Sequence, residues 1–253
     1  MHVFFITGAS KGIGFALSKE LMHENNLLVC VARTKNDELF QIAKEKNCRL
    51  AFLEYDLAES SGLGELMKEM LSFMPDHSES VTLINNAGVI DPIGRTESNQ
   101  PEAIIKSIAV NLTAPMVLTS AFIKQLDQYP ISKKVINISS GAGRHPYSGW
   151  SSYCAGKAGL DHYTRVVSEE QKHQPNGVKV ISIAPGIIDT SMQERIRESN
   201  KKEFELLDRF VEYKKQGMLS TPEQTAKKLI QIIKSETIND LEAVIDIRDF
   251  QIY

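Results

Sequence analysis

Seven short runs of β-branched and aliphatic residues punctuate the chain: Val3–Thr7, Leu27–Ala32, Leu50–Tyr55, Val81–Ile84, Lys134–Ser139, Val178–Ala184 and Ala243–Ile247. Longer stretches with helical periodicity lie between them, the first from Gly14 to about Glu24 with Phe15, Leu17 and Leu21 facing inward. Runs this apolar suit strands buried on both faces, and the helices between them supply the crossovers that parallel strands require. The expected fold class is α/β: a doubly wound, seven-stranded, mostly parallel sheet with right-handed crossovers. No repeat, low-complexity tract or Pro/Gly/Ser linker interrupts the pattern, so residues 1–253 are expected to form a single domain.

Composition narrows the function classes. The net charge is −3 and no long basic run occurs, which argues against a nucleic-acid partner. Cys30, Cys48 and Cys154 form no C-x-x-C and cannot all pair, as expected in a reducing compartment. Met1–Ile6 is a short apolar run that meets the glycine-rich turn at once and lacks a basic leader, so a cytoplasmic location is expected. No stretch was expected to reach the roughly 18 apolar residues that span a bilayer. The six histidines are scattered, and no metal site is expected.

The first strand meets Thr7-Gly8-Ala9-Ser10-Lys11-Gly12-Ile13-Gly14 and then a helix. Glycines there allow a sharp turn and close approach to a pyrophosphate, while the helix N-terminus points N–H groups at its charge. A glycine-rich turn with no ligand is the competing reading. The second strand ends Ala32-Arg33-Thr34, where NAD sites usually place a carboxylate for the ribose 2′-hydroxyl. Two cations, Arg33 and Lys11, with no carboxylate suit a 2′-phosphate instead, unless both are solvated loop residues. Asp37 and Glu38 are taken to point away. Asp56-Leu57 ends the third strand, where the carboxylate can accept from an adenine amine or cap the next helix.

Tyr153 and Lys157 stand four residues apart, on one face of a helix. A cation beside a phenol favours the phenolate, so Lys157 is expected to lower the pKa of Tyr153 and allow proton exchange near neutral pH. An exposed Tyr/Lys pair is the alternative. Ser140 stands thirteen residues ahead of Tyr153, just past the fifth strand, placed to bond a substrate carbonyl; Ser139 competes for that position. Asn111 falls within a helical segment, Ile104 to about Leu118, where an amide suggests a buried polar role.

Together these residues resemble the short-chain dehydrogenase/reductase family over essentially the full chain. The matching features are Thr7-Gly8-x-x-x-Gly12-x-Gly14, Asp56, Asn85-Asn86-Ala87-Gly88, Asn111, Ser140, Tyr153-x-x-x-Lys157 and Pro185-Gly186 followed by Thr190. The resemblance implies a Rossmann-like fold and NADPH or NADP as cofactor. It implies Tyr153 as proton donor, Lys157 on the nicotinamide ribose, Ser140 orienting the carbonyl, and Asn111 holding a water in a proton relay. Asn86, Ala87 and Gly88 would line the adenosine-side ribose. Backbone at Ile188 and the Thr190 hydroxyl, beyond Pro185-Gly186, would hold the carboxamide. A homodimer or tetramer is implied by the same resemblance.

The run Ala184 to Gln193 is similar to that of sepiapterin reductases and of bacterial reductases that form (S)-benzoin from benzil, the latter being the nearer likeness. Asp246 aligns with the aspartate that holds the pterin in the former, though a strand-end Asp also serves as a turn former. The segment from about 191 to 219 would close over substrate, with Met192 and Ile196 on one helical face and Phe204, Leu207 and Val211 on another. Tyr147 and Trp150 would give aromatic walls for a flat diketone. The expected reaction is reduction of one carbonyl of a 1,2-diketone to an α-hydroxy ketone. The alternatives are a sepiapterin, 3-oxoacyl or steroid reductase, or an NADP(H) sensor without turnover.

Overall fold

The structure, a computed structural model, describes residues 1–250. The chain runs β1 (His2–Thr7), α1 (Gly12–Leu21), β2 (Asn26–Ala32), α2 (Asp37–Glu45), β3 (Arg49–Glu54), α3 (Leu63–Ser72), β4 (Ser80–Asn85) and α4 (Pro101–Ile108). It continues with α5 (Ala114–Leu126), β5 (Ser132–Ile138), α6 (Ser151–Gln171), β6 (Lys179–Ala184), α7 (Ser191–Arg197), α8 (Leu207–Lys215), α9 (Pro222–Lys234) and β7 (Val244–Asp246). The seven strands form one sheet in the order β3-β2-β1-β4-β5-β6-β7. Every pairing is parallel, where the sequence predicted a mostly parallel sheet.

Alternation along each strand divides the core into two layers. Phe4, Ile6, Leu28, Cys30, Ile84, Ile136 and Ile181 pack with Leu17 and Leu21 of α1 and Leu229 and Ile232 of α9. Val3, Phe5, Val29, Leu83, Val135 and Val180 pack with Leu66 and Met70 of α3 and Leu118 and Phe122 of α5. Phe5 meets Phe122 edge-on with centroids 6.4 Å apart. The strand order reverses between β1 and β4. Connections leave these two strands in opposite directions, which opens a crevice at their carboxyl ends.

Strand boundaries lie within two residues of expectation, but α1 stops at Leu21 rather than near Glu24. The Asn26 amide donates to the Leu21 carbonyl at 2.6 Å, and Met22 turns to extended backbone. A second difference concerns the continuous helical stretch Pro101–Leu126. An 18-residue window of it reaches a mean hydropathy of 1.4, so it is long and apolar enough to cross a bilayer by length and composition, contrary to expectation. It packs against α3 and α6, and Glu102, Lys106 and Lys124 face outward. That is the amphipathic pattern of a helix flanking a sheet.

Candidate active site

A cleft of about 980 Å³ lies along the carboxyl ends of the strands and gathers nearly all the expected site residues. Its floor is the glycine turn. Gly8 and Gly12 hold φ of 68° and 57°, a left-handed backbone that favours glycine. A Cβ on Gly8 would stand 2.8 Å from Ala87 Cα, and one on Gly14 would stand 2.2 Å from the Gly8 carbonyl oxygen. Gly14 lies behind the cleft wall, so its part is packing. Asn86 locks the turn from β4: its amide donates to the carbonyls of Thr7 (2.9 Å) and Gly8 (3.2 Å). The Thr7 hydroxyl in turn accepts from the N–H groups of Asn86 and Ala87, each at 3.1 Å. The Asn86 side chain, expected at a ribose, is committed to this lock. No side chain caps the start of α1 and no acid sits in its first turn, so its N–H groups are free to meet an anion. Ser10, Lys11 and Ile13 line the same wall, and Thr190 packs over Gly12, 3.4 Å from where a Cβ would stand. A turn that excludes side chains beneath an uncapped helix fits a dinucleotide pyrophosphate.

The far end carries Arg33, Thr34 and, unforeseen, Lys35 and Asn36. Lys35 lies over the Phe40 ring at 4.2 Å. Asn36 accepts from the Glu38 N–H (3.0 Å) and donates to the Ser10 carbonyl (2.8 Å), joining α2 to the glycine turn. Its place ahead of an amphipathic run was the available signal. Asp37, expected to point away, lines the cleft because it opens α2, where the helix dipole favours a carboxylate. Asp56 lines the cleft beside Leu57 and caps its own turn, accepting from Ala58 at 3.1 Å.

At the centre, α6 presents Tyr153 and Lys157, only 6% and 4% exposed. The Lys157 Nζ donates to the Ile138 carbonyl at 2.8 Å and lies 5.8 Å from the Tyr153 ring centroid. Ser140 leaves β5 in extended backbone, accepts from Ala142 at 3.1 Å and lines the cleft together with Tyr153. Burial pushes the Tyr153 phenol up to about 12, opposed by Ser140. Burial likewise draws Lys157 down to about 8, opposed by the charge of Asp161. The expected fall in the Tyr153 pKa is thus absent in the protein alone. Desolvation of the two buried groups outweighs the cation, which is directed at Ile138. The Ser139 hydroxyl is buried beside them without a hydrogen-bond partner among the described residues.

Asn111 does not reach the cleft wall. It is fully buried in a π-helical turn, Ala109–Thr113, that interrupts the helix between α4 and α5. Its amide donates to the Val89 carbonyl (2.8 Å) and its Oδ1 accepts from the Val89 N–H (3.1 Å). The side chain therefore anchors the strand-end loop.

The near end is aromatic. Trp150 is stacked between Tyr147 (5.0 Å) and Phe204 (4.9 Å), so neither face is free for a substrate ring. Tyr147, Phe210 and Tyr213 present the accessible aromatic surface, with Met192 and Ile196 from α7. Phe204 precedes α8 instead of sharing its face, and Phe210 takes the inward position expected of Val211. Asp246 lines the cleft but is already paired: Arg248 grips it at 2.8 and 2.7 Å, which holds its carboxyl below the usual range. Arg209, over the Tyr213 ring one turn further along α8, and Arg248, in the turn just after Asp246, were not anticipated. Pro185, Gly186 and Ile188 line the wall beyond β6, with Gly186 at φ 83°.

The profile of the family described as short chain dehydrogenase matches residues 2–201. The chain belongs to the short-chain dehydrogenase family. It is 38% identical over 245 residues to a benzil reductase ((S)-benzoin forming) of Bacillus cereus, covering 96% of this chain and 98% of the relative. It is 32% identical to the sepiapterin reductase of Meriones unguiculatus, covering 93% and 92%. A structure from Agrobacterium tumefaciens with bound NADP, described as a 2-deoxy-d-gluconate 3-dehydrogenase, superposes with a TM-score of 0.79 at 26% identity, covering 97% of this chain and 94% of that one. As a short-chain dehydrogenase the chain is an oxidoreductase of carbonyl-reductase type that works with a nicotinamide cofactor.

Proposed function

We propose that the chain reduces one carbonyl of a 1,2-diketone, benzil being the type, to an α-hydroxy ketone at the expense of NADPH. The observation that carries this reading is one cleft that joins Tyr153, Ser140 and Lys157 to an aromatic, apolar end on one side and a glycine turn with nearby cations on the other. The bound cofactor supplies the hydride. Arg33, Lys35 and Lys11, with Ala32 where a carboxylate would select NAD, favour the 2′-phosphate form. Gly8 to Ile13 would cradle the pyrophosphate, and Pro185 to Thr190 the carboxamide.

Ser140 donates a hydrogen bond to the carbonyl oxygen and holds it against Tyr153. The Tyr153 hydroxyl gives its proton to that oxygen as the carbon accepts hydride, leaving a phenolate. The Lys157 ammonium on the same face of α6 stabilises that phenolate. The segment 191–219, through Met192, Ile196 and Phe210, excludes water above the reacting carbonyl. A pterin side-chain ketone is disfavoured because the carboxylate of Asp246 is occupied by Arg248. Ile105, Met116 and Val166, exposed on α4, α5 and α6, support association of copies of this chain. Three unpaired cysteines suit a cytoplasmic enzyme.

The test is purified protein with benzil and NADPH or NADH, following cofactor absorbance and resolving the benzoin enantiomers. NADPH consumption with formation of one benzoin enantiomer is expected. Turnover of sepiapterin or 3-oxoacyl substrates but no diketone would replace the substrate assignment. Cofactor binding without turnover of any carbonyl would leave an NADP(H) sensor.

A further inference from the structure

Asp161 sits on α6 one helical turn beyond Lys157 and is 1% exposed. Its Oδ1 accepts from the Ser182 hydroxyl of β6 at 2.6 Å. Its Oδ2 accepts no hydrogen bond among the described residues and faces the Arg144 Nε at 3.5 Å. Arg144 closes the short turn Gly141–Gly143 that follows Ser140 directly. This turn lies against the helix so tightly that a Cβ on Gly143 would come within 2.9 Å of both Asp161 Oδ2 and the Lys157 carbonyl oxygen. The far side of Arg144 is fixed to β7, donating to the Ile245 carbonyl at 2.8 Å, with Asp246 Oδ2 3.9 Å away.

A buried carboxylate with one neutral partner and one unfilled oxygen is costly, and removing its counter-charge is costlier still. Such a group needs a reason in its surroundings. Arg144 from the serine turn faces it at 3.5 Å, and Lys157, whose Nζ is directed at the Ile138 carbonyl, stands one turn back on its own helix. Asp246, neutralised by Arg248, is the other charge bearing on Arg144. Tyr153 and the neutral Asn111 complete the surroundings of Lys157.

We infer that Asp161 is a positioning residue for the acid–base pair: through Arg144 it anchors the turn that carries Ser140 to the helix that carries Tyr153 and Lys157, and its charge acts on Lys157 from one turn along that helix. The inference rests on the reading of those three residues given above. Burial alone would leave the lysine neutral at lower pH; a fixed anion behind it offsets part of that desolvation.

The two halves of this device are separable by sign. Asp161→Asn removes a negative charge with almost no change of shape. It is expected to move the alkaline limb of kcat/KM to lower pH by about one unit, the lower end for a neighbouring charge. Arg144→Met removes a positive charge from a part-exposed position. It is expected to move the same limb to higher pH and to raise KM by loosening the serine turn. A purely structural residue would lower kcat at every pH in both variants and leave the limb in place, and that result overturns the inference. Should Asp161→Asn not fold, an unmoved or lowered limb in Arg144→Met is sufficient to overturn it. Isotope-edited NMR titration of Lys157 in the cofactor-free protein gives a readout independent of turnover. A lower midpoint in Asp161→Asn supports the inference, and an unchanged one overturns it. Absence of wild-type turnover with every carbonyl tested strikes the proposed reaction instead.

Discussion

The indole of Trp150 lies flat against the ring of Phe204, planes 8° apart, while the same indole meets the Tyr153 ring at 83° with centroids 5.9 Å apart. One side chain thus touches both Tyr153, the proposed proton donor, and Phe204 of the segment 191–219. Phe204 is fully buried, so Phe204→Ala is expected to cost about 3–5 kcal/mol in global stability, or less where the roof detaches locally. KM for an aromatic diketone is expected to rise about tenfold or more, and KM for a small aliphatic diketone much less. Denaturant titration and steady-state kinetics on the two substrates check this; equal effects on both would mean that the roof does not contact the rings.

Tyr153→Phe keeps the ring and its packing on Trp150 but removes the proton. We expect kcat to fall by roughly 10²–10⁴, with NADPH affinity, measured by fluorescence titration, unchanged.

Lys157 is held down to about 8 and Tyr153 up to about 12, so activity should follow the lysine first. kcat/KM is expected to fall as pH rises through about 8, where the ammonium is lost. Stability runs the other way. The folded pKa of Lys157 lies below its ordinary 10.5, so between about 8 and that value the unfolded chain binds more protons and stability rises with pH. At neutral pH the buried charge is a cost. Lys157→Met is therefore expected to abolish turnover yet raise Tm, by about 2–4 °C for each kcal/mol relieved. A lowered Tm would show that the hydrogen bond to Ile138 outweighs the desolvation.

Arg33 and Lys35 flank the far end of the cleft with no carboxylate salt bridge among the described residues. Arg33→Ala is expected to raise KM for NADPH by about 10- to 100-fold, the worth of one or two charge-assisted hydrogen bonds, and to leave KM for NADH nearly unchanged. Parallel kinetics with both cofactors at fixed ionic strength decide it.

The sheet was legible in the sequence because a strand buried on both faces has to be written as an apolar run, and β2 is buried at every position. The glycine turn and the Tyr153/Lys157 pair were legible because local geometry alone defines them. Three features were not. The π-helical turn around Asn111 is a change of backbone hydrogen bonding that no side-chain periodicity records. The early end of α1 depends on Asn26 reaching back five residues. The pKa balance at Tyr153 depends on how deeply α6 sinks against β5, which only the assembled fold sets.

Asn86 ties the last residues of β1 to the start of the loop after β4, across the seam where the sheet reverses direction. The anion seat is therefore not a property of the first eighty residues, although all its glycines lie there. A nascent or partly opened chain whose central strands have separated has no such seat. Occupancy by the dinucleotide consequently acts as a clasp on the middle of the molecule, stabilising the joined state by mass action, and a cell depleted of that dinucleotide leaves this seam without the clasp.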